Sequence, residues 1–170
     1  RNMYMQSLIR QRAIEHDDWT LVKEASGPEI LHVTQDRNLI VPIKFWNMYK
    51  PEIENYLGNI TIWLDSDEFL DEIKEELNTF SLIALNFPVF SDGRPYSTAR
   101  ELRQNKKFTG EIRAVGDVLR DQIFYMHQCG FNSFLLRHDQ DPESCINALD
   151  DFKANYQSTV LEKNPLFRRR

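Results

Sequence analysis

The chain has 170 residues, one domain's worth, of which 41% are hydrophobic and 28% charged. A chain of that length buries roughly 70% of its unfolded surface and needs no metal or disulfide to fold, and its mixture excludes wholesale disorder, collagen-like sequence and a disulfide scaffold. Lys and Arg number 21 against 26 Asp and Glu, for a net charge of −5; removing Arg168, Arg169 and Arg170 leaves residues 1–167 at −8, a poor general nucleic-acid binder because counterion release needs clustered positive charge.

No stretch approaches 18 uninterrupted apolar residues, and no apolar segment precedes a small-residue cleavage site near residue 1. The expectation is a soluble, cytoplasmic protein with no membrane span and no nucleic-acid partner. Cys129 and Cys145 form no CxxC pair. Each sits at an apolar position of a helical pattern, as buried free thiols do.

In chain order, residues 7–15 (SLIRQRAIE) read as a strand or hairpin leading to Trp19, and residues 24–29 (EASGPE) as a loop. Five short apolar runs follow: 39–43 (LIVPI), 60–64 (ITIWL), 82–85 (LIAL), 112–116 (IRAVG) and 133–136 (SFLL). Runs of this length, bounded by Gly, Asp or Pro, predict buried strands. The stretches between them predict helices. Residues 67–78 place Phe69, Leu70, Ile73 and Leu77 on one face, with early acids suited to a helix N-terminus. Asp117 is a candidate N-cap for a helix over 118–129, closed by Gly130 with Phe131 packing back. Asp141 and Pro142 open another over 142–157, burying Cys145, Ala148, Leu149 and Phe152. Strand–helix alternation implies an α/β fold of about five parallel βα units in one sheet, either open and flavodoxin-like or part of a barrel, with an N-terminal β segment. Residues 1–157 form the single domain. Residues 158–170 are a tail whose Leu166, Phe167 and arginines suit docking on the body or on a partner.

Ligands of parallel α/β folds bind at the carboxyl ends of the strands. The third such loop is long. Asp92 and Gly93 make a turn, Arg94 projects from it, Pro95 starts a helix, and Tyr96, Ser97 and Arg100 occupy its first turns. Residues 94–120 carry seven basic side chains against three acids. These are either solvated helix-face charges, a protein docking surface or an anion site. For the last, the candidates are Arg94, Tyr96, Ser97, Arg100, Asp117 and Arg120, with Arg94, Ser97 and Arg120 converging. His138 between Arg137 and Asp139 is a possible acid or base, and His127 a surface residue of its helix. His16 with Asp17 and Asp18, or Asp65 with Asp67, could be metal ligands; capping and solvation explain both sets better, so no metal is expected. Walker A, GxSxG, HExxH and GxGxxG patterns are absent, and no cofactor is expected.

The runs FPVFSDGRPYSTARELR and GEIRAVGDVLRDQIFYMHQCGFNSFLLR, with LIRQRAIEHDDW before them and PLFRRR after, resemble a bacterial family named domain of unknown function 934. The family's Asp-Gly-Arg-Gly-Tyr-Ser is matched here except at Pro95, which replaces its second glycine. The resemblance implies genes beside those for assimilatory sulfite reductase and adenylyl-sulfate reduction, and hence an accessory protein that binds an anion or one of those enzymes. Members are also labelled oxidoreductases of sulfite reduction. That alternative would make the chain a small enzyme acting on an anionic substrate, although no redox signature is present in its residues.

Overall fold

Two strands that are neighbours in the chain lie at opposite edges of one sheet. The computed structural model describes residues 6–73 and 75–150. Its strands are β1 (Leu8–Arg10), β2 (Ala13–Glu15), β3 (Trp19–Leu21), β4 (Asn38–Pro42), β5 (Ile60–Leu64), β6 (Leu82–Phe87), β7 (Glu111–Gly116) and β8 (Ser133–Leu135). Their spatial order is β2-β1-β8-β7-β6-β5-β4-β3. Strands β3 to β8 are parallel, and β1 runs antiparallel to both β2 and β8. A flat sheet of eight strands would hold its edges about 34 Å apart at the usual ~4.8 Å spacing. Residues 16–18 alone connect β2 to β3, so Glu15 and Trp19 are at most about 14 Å apart. The sheet therefore curls into a half-barrel, the second of the two sheet forms the sequence left open.

Parallel strands in chain order, joined by right-handed crossovers, put every connecting helix on one face. These helices are α1 (Glu29–Thr34), α2 (Ile43–Met48), α3 (Lys50–Glu54), α4 (Arg94–Arg100), α5 (Ile123–Cys129) and α6, whose described part is residues 142–150. The period-2 alternation of each strand sorts its side chains. Leu39, Ile62, Leu64, Ile83, Leu85, Phe87, Ile112, Ala114 and Phe134 face the helices. Ile40, Trp63, Leu82, Ala84, Val115 and Leu135 meet Leu8 on the concave side.

At the N-terminal ends of the strands the concave side holds charge. The Arg113 side chain is 1% exposed and donates to Asp17 and Glu111 at 2.9 Å each, with Ser133 Oγ at 3.3 Å. Glu111 also receives Arg10 at 3.0 Å, and Arg10 receives support from Glu15 at 2.6 Å. The chain of alternating charges Glu15–Arg10–Glu111–Arg113–Asp17 ties β2, β1 and β7 to the connection that joins the sheet edges. Asp17 also accepts the Trp19 N–H at 3.0 Å, shaping that connection. Burial pushes the Glu111 pKa up. Hydrogen bonds from Ser133, Arg113 and Arg10, and the charge of Arg113, outweigh it and hold the carboxyl below its ordinary value.

Several helices differ from their sequence patterns. Residues 67–78 form two 3₁₀ turns, Leu70–Ile73 and Leu77–Thr79, not one helix. The three-residue step from Leu70 to Ile73 is the 3₁₀ repeat, and it buries both while Phe69 stays 69% exposed. Asp117 caps no helix. Leu119 is extended, a 3₁₀ turn follows at Arg120–Gln122, and α5 begins only at Ile123. The other caps form as expected. Gly130, at φ 122, ends α5, with the Phe131 N–H on the Met126 carbonyl. Asp141 Oδ2 accepts the Ser144 N–H at 2.9 Å. Cys129 and Cys145 are buried free thiols, and burial pushes the Cys145 thiol up to about 11. Phe152 and the 158–170 tail lie outside the described residues, and no described helix is long and apolar enough to cross a membrane.

Arg113→Ala leaves Asp17 and Glu111 without their buried counter-charge and is expected to lose about 3–5 kcal/mol in urea unfolding. Exposed Arg94→Ala, the control, should leave the unfolding midpoint nearly unchanged. A carboxyl whose pKa is depressed on folding stabilises above its unfolded pKa of about 4.3 and loses that contribution as the pH falls through its folded value. Stability of the wild type should therefore drop below pH 4 more steeply than that of Glu111→Gln; parallel curves would remove Glu111 from the acid response.

Candidate functional site

The charged network fills the lower end of the half-barrel. The upper end, at the carboxyl ends of the parallel strands, is open. A cavity of about 570 Å³ occupies it, within the range typical of ligand sites. The walls come from the last residues of the strands and from those just beyond them. Lys23 and Glu24 follow β3, Trp63 and Asp65 close β5, Asn86 to Pro88 close β6, Val115 to Asp117 close β7, and Arg137 and His138 follow β8.

The walls are cross-braced. Trp63 donates its indole N–H to the Val22 carbonyl at 2.9 Å, which fixes the ring across the gap between β5 and β3. Asp65 Oδ1 receives Asn86 Nδ2 at 3.0 Å and the Ser66 N–H at 2.9 Å. Asp117 Oδ1 receives Arg137 at 2.7 Å, and its Oδ2 holds the Phe90 N–H of the long β6–α4 loop at 2.8 Å. Arg137 also forks onto Asp139 at 2.8 and 2.9 Å. Bonds to Asp139, then to Asp117, raise the Arg137 pKa, and Arg137 in turn holds the Asp139 carboxyl below the carboxylate range. Gly116 sits at φ 93 against Asn86 and the Phe87 carbonyl, and a Cβ there would collide with both.

The six anion candidates do not share one site. Only Asp117 lines the mouth. Arg94 and Ser97 share a groove of about 280 Å³ with Asp67, Glu68 and Glu101. There Arg94 binds Asp92 at 2.9 Å and Ser66 Oγ at 3.0 Å, and pulls the Asp92 carboxyl below the carboxylate range. Tyr96 is buried against Phe87, Tyr125 and Phe131, and burial pushes its hydroxyl up to about 12. Arg100 donates to the Tyr125 hydroxyl and lies 5.5 Å from that ring's centre. Arg120 reaches the Ser144 carbonyl at 3.3 Å and does not line the groove of Arg94 and Ser97; the expected convergence of the three does not form. Two further arginines of the basic stretch face inward: Arg113 in the network above, and Arg103 on the carbonyls of Gly130, Phe108 and Gly110.

The metal alternatives separate as well. Asp17 turns inward to Arg113, leaving His16 beside Asp18 at 3.6 Å on the surface. Asp65 faces the mouth and Asp67 the groove. Sequence reading singled out Asp65, Asp117, Arg137 and His138 as loop residues but not Trp63, Asn86 or Lys23. One signal for Asn86 was available: a lone amide near the end of the apolar run LIALNF.

A family model for bacterial proteins of unknown function, DUF934, matches residues 61–167. The chain belongs to this family. The DUF934 match takes in Trp63, Asp65, Asn86, Gly116, Asp117, Arg137 and His138, and leaves out the wall from β3. A comparison with curated proteins finds no match.

Gly116→Ala should destabilise the fold by about 1–3 kcal/mol from backbone strain alone, read as a lower melting temperature. An unchanged melting temperature would mean that this turn is not held as described.

Proposed function

We propose that the chain is a cytoplasmic accessory protein of assimilatory sulfate and sulfite reduction that binds a small polar ligand in the mouth of its half-barrel and works beside sulfite reductase or a neighbouring enzyme. The cavity at the strand ends carries the binding part of this reading. Its walls combine cations (Lys23, Arg137), hydrogen-bonding groups (Asn86, Gln6) and an aromatic ring (Trp63), the usual make-up of a small-molecule site. The pathway rests on the family resemblance. The Arg94–Ser97 groove, at about 280 Å³, is the smaller of the two candidates, and Asp92 already neutralises its one arginine.

A second reading, a small enzyme acting on an anionic substrate, is favoured by exposed His138 on the rim, three residues past the end of β8 and beside the Asp117–Arg137 pair. An imidazole there is placed to exchange a proton with a bound substrate.

A strain lacking the gene should grow slowly on sulfate and normally on cysteine, and the tagged chain should co-purify with sulfite reductase. Equal growth on both, with no co-purification, would overturn the accessory reading. Complementation by the wild type but not by His138→Ala, with co-purification intact, would favour the enzyme.

A further inference from the structure

We propose that the ligand of the mouth is a nucleoside monophosphate whose base carries an exocyclic amine, such as AMP. The inference rests on the reading that the mouth is a ligand site and specifies what enters it. Three observations carry it.

The first is size. A cavity of about 570 Å³ is far larger than one tetrahedral oxyanion fills, and suits an organic molecule of nucleotide dimensions. The second is Trp63. Part of its ring packs into the concave apolar cluster, and its indole N–H is held by the Val22 carbonyl. The remaining ring surface lines the cavity in a fixed orientation, a ready stacking platform for a planar base. The third is the distribution of hydrogen-bonding capacity. Beside Trp63, Asp65 Oδ1 is occupied by Ser66 and Asn86, while Asp65 Oδ2 and Asn86 Oδ1 receive no hydrogen bond among the described residues. These two acceptors call for N–H donors on the ligand, which an inorganic oxyanion lacks and an exocyclic amine supplies. The cations lie away from that centre. Lys23 follows β3 and makes no ion pair among the described residues, whereas Arg137 follows β8 and is already shared by Asp117 and Asp139; Glu24, Asp65 and Asp117 also line the mouth. In the proposed placement the base is held at Trp63 and Asp65 and the phosphate meets Lys23 at the rim.

The test is calorimetric titration of the full chain with AMP, inosine monophosphate, adenosine, sodium sulfate and sodium sulfite. AMP should bind at least tenfold more tightly than inosine monophosphate, whose ring lacks the amine. It should also bind at least tenfold more tightly than adenosine, which lacks the phosphate. Trp63→Ala should weaken AMP at least tenfold and Trp63→Phe no more than threefold, with melting curves confirming that both fold. If Trp63→Ala fails to fold, Asp65→Asn takes its place and should remove the preference for AMP over inosine monophosphate. AMP binding no tighter than sulfate, or unaffected by these substitutions, overturns the proposal. Sulfate or sulfite binding without AMP overturns the nucleotide and leaves the ligand-site reading standing; no binding by any of them overturns both.

Discussion

Three residues, His16 to Asp18, hold the two edges of an eight-stranded sheet together. That short link forces the curl, and the curl creates an inside. Without it the concave face would be a flat, solvated surface carrying Arg113, a cation that is 1% exposed in the folded chain. The Asp17–Arg113 bond gives the link a fixed place, tied to β7 near the middle of the sheet, and Glu111, Arg10 and Glu15 extend the tie to the opposite edge. A buried ion network of this kind adds little net energy against an apolar alternative, yet breaking it is costly. Its role in this fold is to set which parts of the sheet face each other.

The two ends of the half-barrel then differ for a physical reason. At the N-terminal ends of the strands, long charged side chains reach across and satisfy one another. At the carboxyl ends the side chains are shorter or brace along the wall: Asp65 to Asn86, Asp117 to Arg137, Trp63 to the Val22 carbonyl. Bracing along the wall leaves the centre open. The Asp117 carboxylate has a double duty, because it holds both Arg137 and the Phe90 N–H. The long β6–α4 loop and the β8 wall of the mouth are therefore positioned by one side chain.

Much of this fold was legible in the sequence. The apolar runs at 60–64, 82–85 and 112–116 coincide with β5, β6 and β7 to within two residues, and the 7–15 segment is the β1–β2 hairpin. Gly130 and the Asp141–Pro142 pair mark helix ends correctly because capping is local chemistry. The strand β3 was not legible: three residues, WTL, carry too little pattern, and they pair with β4 only through the closure. For the same reason Lys23 was missed as a wall of the mouth. The rule that sites lie at strand ends identified Asp65, Asp117, Arg137 and His138. It could not tell that α4 faces the convex side, which takes Arg94, Ser97 and Arg100 away from the mouth. Asp117 looked like a helix cap because its neighbours are helix-like, whereas a partner 20 residues away, Arg137, claims its carboxylate.

The central claim is that the curled sheet makes its ligand site at the carboxyl ends of the strands. Amide NMR of the labelled chain during separate titrations with AMP and with sulfite tests it most directly. The account predicts shifts concentrated at the Trp63 indole, the Asn86 side-chain amide, Gly116 and Arg137, with Ser66, Arg94 and Ser97 unmoved. Shifts confined to the Arg94–Ser97 groove, or none with either compound at saturation, would contradict it.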